Sequence, residues 1–152
     1  MKLPEIVGIS GTNGAGKDVL GLLLAERCGY SFHSVSDLLR AELTRTGQPI
    51  TRENLAELSK KWRNESGDDG IMFTKAIEQY ETEKDDKGYK GLALVSVRHP
   101  AEAKPIHDHG GVMVWVDADQ RLRYERLQSA NRGRHEDIKT FEEFQADEYR
   151  EM

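Results

Sequence analysis

Residues Glu5 to Cys28, EIVGISGTNGAGKDVLGLLLAERC, carry an apolar run, a glycine-rich turn, a lysine and a second apolar run in that order. Ile6, Val7 and Ile9 are enough for one buried parallel strand. Gly11-Thr12-Asn13-Gly14-Ala15-Gly16 then turns the chain, and Lys17 follows. Val19, Leu20, Leu22, Leu23, Leu24 and Ala25 recur as a helix places them. Strand, glycine turn, lysine and helix form the layout of a phosphate-binding loop. Glycines let backbone N–H groups turn inward and approach an anion closely. A helix N-terminus adds unsatisfied donors and partial positive charge. The Lys17 ammonium supplies a full charge for the β- and γ-phosphates. Candidate nucleotide-binding residues are therefore Gly11, Asn13, Gly14, Ala15, Gly16, Lys17, Asp18 and Val19.

One position departs from the pattern G-x-x-x-x-G-K-[ST]. The hydroxyl that holds Mg²⁺ is replaced by Asp18, and Val19 offers no hydroxyl either. Asp18 can ligate the metal directly or through water, because Mg²⁺ accepts carboxylate oxygen. It can equally complement the helix dipole as a first-turn carboxylate.

The chain of 152 residues fits one domain with a real core. With 22 basic and 27 acidic side chains its net charge is −5, which argues against a nucleic-acid footprint. The single cysteine, Cys28, forms no internal disulfide and fits a reducing compartment; it is expected as a buried thiol. No apolar run reaches membrane-spanning length, and because Met1–Pro4 leads straight into the first strand no signal peptide is expected. The expected location is the cytoplasm.

Further along, Tyr30 to Val35 reads as a second strand, with Ser36 capping a helix from Asp37 to about Thr46. Thr51 caps a helix over Arg52–Glu65, and Asp68 or Asp69 opens another bearing Ile71, Phe73, Ala76, Ile77 and Tyr80. The charged stretch Glu81–Lys90 reads as a solvated loop. Leu92–Val97 and Val112–Val116 read as buried strands, separated by a short helix Ala101–His109. Trp62 and Trp115 are expected in the core. His107 and His109 do not share a helix face, so a helix end is expected there rather than a metal site. A polar helix to about Ser129, a basic loop Ala130–Asp137 and a last helix Phe141–Arg150 complete the chain. Strands alternating with helices predict an α/β fold: an open, mainly parallel sheet in three layers, with helices on both faces. Ligands sit at the carboxyl ends of such strands, where the glycine loop, Ser36-Asp37 and Arg98 converge.

GISGTNGAGKD at Gly8–Asp18, DLLRAE at Asp37–Glu42, SVRHP at Ser96–Pro100 and VDAD at Val116–Asp119 followed by Arg123 and Arg126 together resemble the P-loop nucleotide kinases, especially their adenylate kinase-like and dephospho-CoA kinase-like branches. The resemblance implies a single P-loop kinase domain over 1–152, with a helical acceptor-binding insertion at about 36–88 and a lid loop at about 129–138. It implies Mg²⁺ and ATP as phosphoryl donor, and a nucleotide-like acceptor gripped by Arg40 and Arg98. Arg126 is implied at the nucleotide and Arg132 and Arg134 at the lid, closing over the transferring group. Asp37 is implied as base if the acceptor is a hydroxyl, as in dephospho-CoA. With a nucleoside monophosphate it would orient Arg40 or a metal-bound water, and structurally it would simply cap its helix. Arg52, Lys60, Lys61 and Arg63 are looser acceptor-side candidates. Members of this family continue past a helix like Phe141–Arg150 into a last strand and a base-contacting loop, which are expected to be absent here. A carboxylate on the metal side after the strand ending at Ser96 is missing too.

Overall fold

A computed structural model describes residues 2–130 and 139–151. The chain divides into two compact units, 1–10 with 17–115, and 11–16 with 116–152. The sheet holds four parallel strands in the order β2-β3-β1-β4: β1 (Ile6–Gly11), β2 (Tyr30–Ser34), β3 (Gly91–Val95) and β4 (Val112–Val116). β3 is central, running parallel to β1 with Ile6 beside Leu92 and parallel to β2 with Tyr30 beside Gly91. Every residue of β3 is buried, as a strand covered on both faces requires.

In the first unit the helices α1 (Lys17–Cys28), α2 (Val35–Arg45), α3 (Arg52–Ser66), α4 (Ile71–Lys87) and α5 (Pro100–Asp108) join these strands. One sheet face packs Ile6, Leu92 and Leu94 against Phe73, Ile77 and Tyr80 of α4 and Ile106 of α5. On the other face α1 presents Gly21, where an added Cβ would lie 2.1 Å from the Phe32 ring. That close approach leaves the bulkier residues of α1 outside: Val19, Leu22 and Leu23 are exposed. Cys28 is half-buried rather than buried.

Four expectations are corrected here. The cap of α2 is Ser34, not Ser36: Ser34 N–H bonds Asp37 Oδ2 at 3.1 Å, so the helix starts at Val35 and shortens the strand. The charged stretch after Tyr80 is helical to Lys87, because Lys84–Glu81 at 2.7 Å and Lys87–Glu83 at 3.2 Å pair at helical spacing. β3 stops at Val95, since Ser96 turns into the left-handed region at φ 68°. Finally, β4 is the edge strand, and its Trp115 is 66% exposed rather than core.

The second unit holds α6 (Gln120–Ala130) and α7 (Phe141–Glu151) with the glycine loop. Tyr124 packs edge-on to Phe141, with ring centroids 5.4 Å apart, and lies beside Phe144 at 5.7 Å. Thr140 caps α7 by accepting from Glu143 N–H at 3.2 Å. Among the described residues no helix is long and apolar enough to cross a membrane.

Candidate functional site

The glycine loop is held by its carbonyls. In the second unit Arg123 Nη1 donates to the Asn13 carbonyl at 3.2 Å, and Arg126 Nη1 reaches the Gly14 and Ala15 carbonyls at 3.5 Å. Thr12 N–H bonds the Val116 carbonyl at 3.2 Å, and Ala15 N–H closes a turn onto Thr12 at 3.3 Å. The N–H groups of Asn13, Gly14 and Gly16 make no hydrogen bond among the described residues. Donors left open while carbonyls are tied back make a concavity suited to an anion. The conformation needs glycine: Gly16 has φ 103°, and a Cβ on Gly11 would lie 1.9 Å from the Val116 carbonyl oxygen.

Asp117 fixes the loop's flank. Its Oδ1 accepts from the Thr12 hydroxyl at 2.6 Å and from Ala118 N–H at 2.8 Å. These two bonds, with Arg123 nearby, hold its carboxyl below the usual carboxylate range. Arg123 itself is 4% exposed and pairs with Glu148 of α7 at 2.6 Å. Burial pushes the Glu148 carboxyl up, but bonds from Arg123 and Gln120 outweigh it, and the net direction is down.

After Gly16 the chain enters α1 at Lys17. Asp18, in the first turn, is exposed and its carboxylate has no protein partner among the described residues. Val19 is also exposed. Among the described residues no cluster of three metal-ligating side chains occurs.

In the first unit Asp37 completes the α2 capping box by accepting from Ser34 N–H, and lies 3.6 Å from Arg40 Nη1. Beyond β3, Ser10 Oγ donates to the Val97 carbonyl at 2.6 Å, and Ser96 N–H bonds the Ile9 carbonyl at 2.9 Å. The strained Ser96 thus directs the chain into Arg98 and the start of α5. Glu102 Oε2 accepts from the N–H groups of Arg98 at 2.7 Å and His99 at 3.1 Å, while His99 Nδ1 accepts from Ala101 N–H at 3.1 Å. The Arg98 guanidinium is exposed and has no partner among the described residues. Beside this turn a cleft of about 210 Å³ is lined by Arg63, Asp69, His99 and Glu102. His107 and His109 sit at the α5 end as expected, with His109 Nδ1 2.7 Å from the Pro105 carbonyl.

The structure thus brings Arg126 to Gly14 and Ala15 of the loop, and Asp37 to Arg40. Arg132 and Arg134 lie outside the described residues. The sequence names Asp117 and Arg123 only as part of the resemblance, without their roles at the loop, and gives no lining role to His99 and Glu102. The three-residue spacing of Arg123 and Arg126, which puts both on one helix face, was the available signal.

No family model matches the chain. In the search of solved structures it resembles a shikimate kinase from Acinetobacter baumannii in complex with shikimate, at TM-score 0.51 and 19% identity, covering 98% of this chain and 75% of that one. That likeness shows the fold, a P-loop kinase-type α/β sheet. Among curated proteins, a UPF0200 protein of Thermococcus kodakarensis is 29% identical over 97% of this chain and 78% of its own length. Another, from Hyperthermus butylicus, is 30% identical over 97% of this chain and 75% of its own. With that identity sustained over nearly all of its length, the chain belongs to the UPF0200 family.

Proposed function

We propose that this protein is an ATP-dependent phosphotransferase that moves the γ-phosphoryl of Mg-ATP to a nucleotide, most simply a nucleoside monophosphate, in the cytoplasm. The observation that carries the reading is the loop in which Arg123 and Arg126 bind carbonyls while Asn13, Gly14 and Gly16 keep open N–H donors. The P-loop kinase-type fold supports nucleotide binding and phosphoryl transfer at the coarser level.

Phosphoryl transfer needs positioned phosphates, neutralised charge and excluded water rather than covalent help. On the donor side the open N–H groups take phosphate oxygens, Lys17 adds a full positive charge, and Val19 and Arg126 line the nucleotide. Asp18 fits Mg²⁺, which keeps several waters and needs only one or two carboxylates. When bound, the metal neutralises phosphate charge. On the acceptor side Arg98, whose guanidinium has no partner among the described residues, grips the acceptor phosphate, and Arg40 assists. Arg132 and Arg134 are proposed to exclude water from the transferring group. The chain is read as a single kinase domain, with 36–88 as its acceptor-binding insertion.

The state of Asp37 favours a monophosphate acceptor. Its carboxylate is engaged by Ser34 N–H and Arg40, whereas a hydroxyl acceptor such as dephospho-CoA calls for a free base. The shikimate kinase likeness keeps a small hydroxylated acceptor as a second reading. The test is ADP formation from Mg-ATP with AMP, CMP, GMP, UMP, dephospho-CoA, shikimate or no acceptor. The proposal expects ADP to depend on a nucleoside monophosphate. ADP formation without any acceptor would make the protein an NTPase, and ATP binding without turnover would make it a binding module.

A further inference from the structure

We propose that the cleft lined by Arg63, Asp69, His99 and Glu102 recognises the acceptor's base, and selects bases that carry an exocyclic amine over their carbonyl-bearing counterparts. This rests on the monophosphate-kinase reading above and specifies its substrate class.

The four side chains have hydrogen-bonding capacity to spare, in a definite pattern. The half-buried Arg63 guanidinium and the exposed Asp69 carboxylate have no partner among the described residues. Glu102 spends Oε2 on the Arg98 and His99 N–H groups, and its Oε1 has no partner among the described residues. His99 Nδ1 accepts from Ala101 N–H, so a neutral ring carries its proton on Nε2 and presents a donor. The cleft therefore offers donors from Arg63 and His99 and acceptors from Asp69 and Glu102.

Charge says which part of the acceptor enters. Two carboxylates against one guanidinium repel a phosphate. Arg98, the residue before His99, whose guanidinium has no partner among the described residues, is the group proposed for that phosphate. At about 210 Å³ the cleft has room for one heterocyclic ring. A ring that satisfies this lining must both donate and accept. Cytosine and adenine present an amine to a carboxylate and a ring nitrogen to a donor. Uracil and hypoxanthine place a carbonyl oxygen where the two-hydrogen amine would be and keep a single ring N–H on that edge, one donor for two carboxylates, and an unmade hydrogen bond in a cleft is costly.

The experiment compares kcat/KM for two pairs that differ by this exchange, CMP with UMP and AMP with IMP, in the wild type, Asp69→Asn and Arg63→Gln. For whichever pair the enzyme accepts, the amine-bearing member should exceed the other by about tenfold or more. Asp69→Asn, whose amide can donate to a carbonyl, should collapse that ratio towards one, and Arg63→Gln should lower it as well. Because each ratio is taken within one variant, general loss of activity cancels. Equal use of both members by the wild type, or ratios unchanged in both variants, would overturn the inference while leaving the kinase reading intact. Absence of any monophosphate-dependent ADP would overturn both.

Discussion

Arg123 Nη1 lies 2.6 Å from Glu148 Oε1, and the same guanidinium nitrogen donates to the carbonyl of Asn13 at 3.2 Å. A largely buried ion pair between α6 and α7 is thereby joined to the glycine loop. Removing one member of such a pair strands the other charge, at a cost of about 3–5 kcal/mol. Glu148→Ala should therefore destabilise the fold by about 3 kcal/mol, read as a lowered urea midpoint. It should also weaken ATP binding, because the Asn13 carbonyl loses a fixed partner. A loss in stability with ATP affinity unchanged would mean the pair only clamps the two helices.

The pH dependence of that pair has a defined sign. The folded-state pKa of Glu148 is lowered, so its contribution is fully present above the unfolded carboxylate value of about 4.3 and is lost as pH falls through the folded value. Glu148→Gln has no carboxyl to protonate. The stability gap between wild type and Glu148→Gln should thus be largest near neutrality and shrink below about pH 4. Denaturant titrations at several pH values measure it, and a gap constant with pH would remove the ion pair as its source.

Sequence pattern was most informative where one physical rule acts alone. The glycine loop and its flanking strand and helix stand where the spacing of Ile6, Gly11, Gly16 and Lys17 places them. The stretch after Tyr80 misled because its charges satisfy a loop composition and a salt-bridged helix face equally well. Trp115 misled for another reason: an apolar run reveals a strand but not its position in the sheet, and β4 is at the edge. Ser96 in the left-handed region carries no residue-type signal, because glycine or asparagine is the usual marker. The cleft joins Arg63 and Asp69 to His99 and Glu102 across thirty or more positions of chain, a proximity that only tertiary packing creates.

On the acceptor side, Arg98→Ala should raise the KM for the acceptor monophosphate by at least tenfold and change that for ATP little, since a bidentate guanidinium–phosphate contact is charge-assisted. Steady-state kinetics with each substrate varied in turn separates the two. Equal losses for both would remove the assignment of Arg98 to the acceptor.

On the donor side, Asp18→Ser restores the hydroxyl usual after the loop lysine. Because the Asp18 carboxylate is exposed and has no partner among the described residues, the change should cost little stability and should keep or improve Mg²⁺-dependent ATP binding. Calorimetric titration of ATP with and without Mg²⁺ reads this. Collapse of binding would identify the carboxylate itself as an indispensable ligand.

The most direct test of phosphoryl transfer is to follow the labelled γ-phosphate of ATP into an acceptor monophosphate, in the wild type and in Lys17→Ala. The account predicts labelled nucleoside diphosphate from the wild type, at least a hundredfold less from Lys17→Ala, and the same fold in both by circular dichroism. Label released only as inorganic phosphate, or transfer equal in the two proteins, would contradict it.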